Sequence, residues 1–131
     1  MMSEKFPSAE KLKSKILIDR LFTEGKSIQQ YPIKLIFTPI LHPDIHTHMT
    51  GVSVPKRNFK KAVDRNYLKR LMREAFRKNK YLVDNNLHHN FALMFIYTGR
   101  EKLDYVTILN AIIRILEKLK EREGKDEKSS N

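Results

Sequence analysis

Six stretches of the chain carry a readable hydrophobic rhythm. Over Lys11 to Phe22, Leu12 and Ile16 with Ile18, Leu21 and Phe22 are spaced as on a short helix, and Gly25 supplies a natural stop. From Ile33 to Leu41 the period changes to two. Ile33, Leu35 and Phe37 alternate with Lys34 and Thr38, which predicts a strand whose regular pairing ends at Pro39. His42 to His48 reads as a loop, and Met49 to Val54 as a second strand closed by Pro55. Ala62 to about Lys80 is the strongest helical signal. With Leu68 at zero on a wheel of ~100° per residue, Leu71, Met72, Ala75 and Phe76 fall within about 80° of it. Phe91 to Thr98 is apolar nearly throughout, as in a central strand buried on both faces. Asp104 is a helix N-cap, and Val106, Leu109, Ile112, Ile113, Leu116 and Leu119 form a stripe running to about Arg122. The order α-β-β-α-β-α, with a helix between strands able to run parallel, predicts an α/β (α+β) fold of one sheet with helices packed on it. One domain is expected over residues 1–123, followed by a disordered tail at 124–131.

Charge changes this picture. The chain has 131 residues and carries 26 Lys+Arg against 15 Asp+Glu, a formal +11 that calls for a polyanionic partner. Residues 56–80 hold eleven of those cations and two acids, Asp64 and Glu74, so this segment is +9 and the other 106 residues only +2. From Glu101 to Lys128, seven basic and seven acidic residues give the mixed pattern of a solvated surface. On the wheel, Arg65, Asn66, Lys69, Arg70, Arg73 and Arg77 occupy an arc from about 60° to 200°, opposite the apolar stripe. Unpaired like charges this dense repel one another until a counter-charge arrives.

Composition excludes several kinds of chemistry. Without Cys there is no disulfide framework, Cys-ligated zinc or thiol catalysis. The three strand segments contain no Asp, Glu or His to converge on a metal, and the four Gly are scattered singly, so no phosphate-cradling loop exists. Independent catalysis by the polypeptide is therefore not expected. His46, His48, His88 and His89 read as exposed loop residues rather than ligands. No apolar run reaches the ~18–20 residues of a membrane span, and the N-terminus lacks the apolar stretch of a secretory signal, which suits a cytoplasmic protein without a membrane partner. A DNA-recognition helix normally follows a partner helix, and here a strand and Pro55 precede the basic helix. RNA is the better partner. Arg65, Lys69 and Arg73 at i, i+4, i+8 space cations about 6 Å apart, near the phosphate spacing of a strand.

Val54-Pro-Lys-Arg-Asn-Phe-Lys-Lys-Ala-Val-Asp-Arg-Asn-Tyr-Leu-Lys-Arg-Leu-Met-Arg-Glu-Ala-Phe-Arg77 closely resembles the signature of the bacterial ribonuclease P protein subunit. Lys11-Leu12, Leu21-Phe22-Thr-Glu-Gly25 and Gly51-Val-Ser-Val54 resemble the same family, and the likeness runs from about residue 11 to 120. The resemblance implies a left-handed βαβ crossover in the sheet, against the usual rule. It implies a non-catalytic subunit of an endoribonuclease that removes the 5′ leader of precursor tRNA. Its partners are then the catalytic RNA and the precursor, with no small-molecule substrate, and Mg²⁺ is bound mainly by the RNA. It further implies that Arg65, Asn66, Lys69, Arg70, Arg73 and Arg77 face the catalytic RNA, while Lys11, Phe22, Lys56, Arg57, Lys60 and Lys61 serve the leader and its phosphates. Tyr67 stands where the family commonly has Arg, and either stacks on a base or packs at the helix edge. Ile18 and Ile36 stand where aromatics are frequent, which shifts leader contacts toward Phe22, toward Phe37 if the register differs, and toward charge. Phe22 itself is either a cleft or a core residue. The alternative function is a structural RNA-binding module of the ribosomal-protein kind.

Overall fold

The computed structural model describes residues 15–41, 47–84 and 86–124. Helix α1 (Lys15–Glu24) leads into strands β1 (Lys26–Gln30), β2 (Ile33–Ile40) and β3 (Met49–Ser53). Helix α2 (Ala62–Asn79) follows with a short 3-10 turn (Lys80–Leu82), then strand β4 (Asn90–Tyr97) and helix α3 (Tyr105–Glu123). The strands form one mixed sheet in the order β1-β2-β4-β3, with β3 parallel to β4 and the other pairs antiparallel. The fold is α+β.

Alternation along the central strands sorts side chains into two unequal clusters. Ile33, Leu35 and Phe37 of β2 with Phe91, Leu93, Phe95 and Tyr97 of β4 point toward α2 and α3. There they meet Leu68, Met72, Ala75 and Phe76 of α2, and Ile108, Ala111, Ile112, Ile115, Leu116 and Leu119 of α3. Ring pairs tie the layers, Phe76 to Phe95 at 5.3 Å and Phe37 to Phe91 at 5.8 Å. The opposite face is thin. Leu21 of α1 covers Ile36, Ile40 and Ala92, with Leu17, Met49, Met94 and Ile96 partly buried around them. Gly25 makes this approach possible: an added Cβ would strike the Leu21 carbonyl oxygen and lie 2.6 Å from Ile36 Cγ2.

Four expectations from sequence change. An unpredicted strand, β1, holds a single buried residue, Ile28, in Lys-Ser-Ile-Gln-Gln, too little for a visible alternation. Pairing of β2 does not stop at Pro39, which lies opposite Phe91. β1 ends its pairing at Phe37, so Pro39 has a strand neighbour on one side only, the situation that tolerates proline. The buried stripe of α3 is rotated from the expected one: Ile108, Ala111 and Ile115 are inside, whereas Val106 is 59 % exposed. Apolar residues are so dense in this helix that two adjacent stripes were available, and docking on the sheet selects one. His48 is not an exposed loop residue but is buried. Its Nδ1 accepts from the Phe91 N–H at 2.9 Å, and its Nε2 lies 3.3 Å from the Val83 carbonyl. A ring nitrogen that accepts from an amide carries no proton, so the imidazole is neutral with its proton on Nε2. His88 and His89 are exposed as expected. Of the tail expected from residue 124, Gly124 bridges to Leu87, and 125–131 lie outside the described residues.

Two arrangements fix how α2 is presented. Tyr97, the last residue of β4, is buried against Phe59 with ring centroids 5.7 Å apart. Its hydroxyl donates to the Glu101 carbonyl and accepts from the Leu103 N–H at 3.0 Å, and burial pushes its phenol above the usual 10. The loop so held carries Lys102, whose ammonium pairs with Asp64 of α2 at 3.1 Å. Further along α2, Glu74 takes Arg77 at 2.9 Å and Lys78 at 3.3 Å. The hydrogen bond from Arg77 above all, opposed by partial desolvation and helped by Lys78, holds the Glu74 carboxyl below the usual 4.5. Asp104 caps α3 as expected, accepting from the Thr107 N–H at 2.9 Å.

Tyr97→Phe is expected to release the loop at a cost of about 1 kcal/mol, read as faster amide exchange at Leu103 with the core strands still protected. Unchanged exchange there would refute the anchoring role. For Glu74, a carboxyl with a lower pKa folded than unfolded stabilises the fold above its unfolded value and loses that contribution as pH falls through the folded one. Glu74→Gln should therefore lower stability at pH 7 by roughly 0.5–1 kcal/mol. The difference from the parent should begin to shrink as pH falls below the usual carboxylate value of 4.5 and disappear once pH has passed the lowered folded value, as denaturant midpoints across pH will show.

Candidate nucleic-acid interface

The arc of α2 opposite its apolar stripe is where the charge concentrates. Asn66, Arg70 and Arg73 are exposed and Lys69 is half-buried, and the side chain of none of them has a hydrogen bond or ion pair among the described residues. The same holds for Lys56, Arg57, Lys60 and Lys61 in the segment that joins β3 to α2, all of them exposed. The only two acids of residues 56–80 do not dilute this array, because both are already taken by other cations. Asp64 is taken by Lys102 and Glu74 by Arg77 and Lys78. What remains is a ridge of uncompensated positive charge on a rigid rod.

Two of the expected ridge residues are placed differently. Arg77 is half-buried and bound to Glu74 through two of its nitrogens, at 3.3 and 2.9 Å, so it stands at the edge of the ridge as part of an ion pair. Arg65 turns back toward the preceding loop, where its Nη1 donates to the Phe59 carbonyl at 2.8 Å and to the Lys60 carbonyl at 2.9 Å. That loop is held elsewhere too. The Asn58 and Phe59 N–H groups both point at the Pro55 carbonyl, at 3.2 and 3.3 Å, and the Phe59 side chain is buried in the core.

Tyr67 stands at the helix edge with its ring partly open to solvent. Its ring is 41 % exposed, and the Lys102 ammonium lies 5.9 Å from its centroid. The flank of α2 nearer α3 thus carries an aromatic covered by a cation rather than a bare cation. This contact joins residues 35 positions apart, and no local pattern announces it.

On the thin face of the sheet, Phe22 is 59 % exposed, which removes its core reading. Ile18 is half-buried and Ile36 lies buried beneath α1. Phe37 points to the opposite face and packs against Phe91, so it is unavailable on the α1 side. Beside α1, Lys34, Gly51, Ser53, Met94 and Ile96 are half-buried and leave a partly open surface. Lys11 lies outside the described residues. Among the described residues no group of three or more His, Asp or Glu side chains is placed to hold a metal ion, and no helix is long and apolar enough to cross a membrane.

The chain is similar to known proteins over most of its length. The family model described as Ribonuclease P matches residues 6–120. A ribonuclease P protein component of Porphyromonas gingivalis is 32% identical over 111 residues, covering 82% of this chain and 81% of the relative. That of Thermotoga maritima is 29% identical over 123 residues, covering 90% and 98%. The solved RNase P protein of Thermotoga maritima superposes with a TM-score of 0.67 at 26% identity, over 83% of this chain and 96% of that one. The fold is shared as well with the Staphylococcus aureus RNase P protein, at a TM-score of 0.68 and 21% identity over 84% and 94% of the two chains. With a family match that spans residues 6–120, nearly the whole sequence, this chain belongs to the ribonuclease P protein family.

Proposed function

We propose that this chain, a protein subunit of the tRNA-processing endoribonuclease ribonuclease P, grips the catalytic RNA along the ridge of α2. We propose further that it holds the single-stranded 5′ leader of precursor tRNA on the partly open sheet face beside α1 and Phe22. The observation that carries this reading is the segregation of charge on one helix. Lys69, Arg70 and Arg73 are left without side-chain partners among the described residues while Asp64 and Glu74 are each neutralised by other cations. An arrangement selected for stability alone would interleave the signs.

Two polyanions must come together for leader removal, and each carries a cloud of counterions. A ridge that neutralises several phosphates releases those ions, and their release drives association without reading sequence. A leader is single-stranded, so its bases are free to stack on an exposed ring such as Phe22 while its backbone follows positive charge. Mature tRNA lacks the leader, so this contact favours precursor over product. Bond cleavage belongs in this scheme to the RNA, with Mg²⁺ bound there supplying Lewis-acid stabilisation of the transferring phosphate. The protein's part is to bind, align and screen, which lowers the Mg²⁺ concentration at which the RNA is competent.

Reconstitution with the cognate ribonuclease P RNA at low Mg²⁺ tests the reading directly. Cleavage of precursor tRNA should rise steeply on adding the protein, and an unchanged rate would sink the proposal. Affinity should fall with salt, with a slope of log K against log salt near −3.5 if about five single-stranded phosphates are engaged. Arg70→Ala with Arg73→Ala should flatten that slope by roughly 1.4 while leaving thermal stability within about 0.5 kcal/mol of the parent, since both side chains are exposed. Phe22→Ala should weaken precursor binding by about 1 kcal/mol, roughly fivefold, and leave product binding alone. Equal losses for precursor and product would remove Phe22 from the leader site.

A further inference from the structure

Arg65 differs from its neighbours on the ridge in what its guanidinium does. Lys69, Arg70 and Arg73 have no partner among the described residues, whereas Arg65 Nη1 donates to two successive carbonyls, Phe59 at 2.8 Å and Lys60 at 2.9 Å. These carbonyls lie in the second half of the segment between β3 and α2. The first half is closed by its own turn, with the Asn58 and Phe59 N–H groups on the Pro55 carbonyl. Phe59 is locked by burial against Tyr97. Beyond Phe59 the Lys61 carbonyl accepts from the Asp64 and Arg65 N–H groups at 3.1 and 3.2 Å, which seats it on the first turn of α2, and Lys60, between that turn and Phe59, is tied by the Arg65 side chain. Lys60 and Lys61 are exposed, and Lys61 enters the helix in extended conformation without a side-chain cap. The tie across this junction is Arg65.

Resting on the functional reading above, we infer that Arg65 is a positioning residue for RNA binding. By pinning the Phe59 and Lys60 carbonyls it fixes where Lys60 and Lys61 present their ammonium groups, so that loop and helix form one continuous array for the ribose-phosphate backbone. The donors on Nε and Nη2 make no bond among the described residues, which leaves that edge of the same guanidinium free to face a phosphate. Arg65 therefore sets the placement of three cations, its own and two others, although it is a single charge.

Salt dependence separates this role from that of an ordinary contact. Each phosphate released takes about 0.7 from the slope of log K against log salt. Binding of the cognate ribonuclease P RNA is measured across a salt series for the full-length parent, Arg73→Ala, Arg65→Ala, the pair Lys60→Ala with Lys61→Ala, and the triple combination. Arg73→Ala should flatten the slope by about 0.7 and Arg65→Ala by about 1.4–2.1. In the Lys60/Lys61 double-alanine background, Arg65→Ala should lose the excess over a single contact, because the groups it positions are gone. Arg65→Lys keeps the charge with a shorter reach. It should keep most of the Arg65→Ala defect, and amide exchange over residues 60–62 should quicken in it while core strands stay protected. If Arg65→Ala does not fold, Arg65→Lys decides alone. Loss of one phosphate's worth of slope, additive with the lysine pair, or full rescue by Arg65→Lys, would overturn the positioning role. If neither Arg73→Ala nor the lysine pair changes the slope, it is the RNA-binding reading itself that fails.

Discussion

The structure depends on one helix being locked into the core along a stripe narrow enough to leave the rest of its circumference free. Burying Leu68, Met72 and Phe76 contributes about 1.5–3 kcal/mol each relative to exposure. Against this stands the repulsion of Arg65 with Lys69, Lys69 with Arg73 and Arg70 with Arg73, at roughly 0.2–0.5 kcal/mol for each helical pair. Lys60 and Lys61 add to the cost, because cations at a helix N-terminus oppose the macrodipole. The apolar stripe wins by a factor of several. That margin lets the helix hold a charge pattern which, as a free peptide, would work against its own folding.

The unequal covering of the sheet follows the same logic. Most of the buried apolar side chains lie between the sheet and the pair α2 and α3, so the fold does not need its second face to be fully covered. One ten-residue helix, α1, closes part of that face, and the half-buried strip along β3 and β4 is left over. Stability comes from one side of the sheet and accessibility from the other. The two are linked through β4: its odd positions build the core, Met94 and Ile96 on its other face line the open strip, and Tyr97 at its end holds the loop that carries Lys102 to Asp64.

How much of this the sequence discloses depends on whether a feature is periodic. The two faces of α2 are legible because eighteen consecutive residues report one period, with charge and hydropathy giving the same phase. β4 is legible for a related reason, being apolar on both sides. β1 is not, since an edge strand with one buried residue has no period to show. The stripe of α3 is visible but its phase is not, because Val106, Leu109 and Ile113 compete with Ile108, Ala111 and Ile115 until the sheet decides between them. Contacts across the chain leave no trace at all. His48 reads as one more histidine in a polar loop, yet it joins β4 to the segment after α2 through a neutral ring. The ridge residues are legible as charges, whereas the bonds of Arg65 to the loop carbonyls are invisible without the fold.

The distribution of cations between helix and loop has an energetic consequence. A lysine on a formed helix loses only side-chain freedom when it meets a phosphate, at most about 1.5–2 kcal/mol. A lysine on an unordered loop also loses backbone freedom, a further ~1–2 kcal/mol for each residue fixed. For an exposed ion pair that gains a kilocalorie or less, the second cost decides whether the contact contributes to affinity at all. Lys69, Arg70 and Arg73 avoid it by standing on α2. The segment 55–61 avoids it by being ordered in advance: its own turn at Pro55 fixes one half, the buried Phe59 ring fixes the middle, and the Arg65 guanidinium fixes the junction with the helix. A flexible polycationic tail of equal charge would bind more weakly and without defined geometry, since it would have to be ordered at the moment of contact. A rigid array is what alignment of two RNAs requires, and it accounts for the concentration of eleven cations in 25 residues around one packed helix instead of an even spread over the surface.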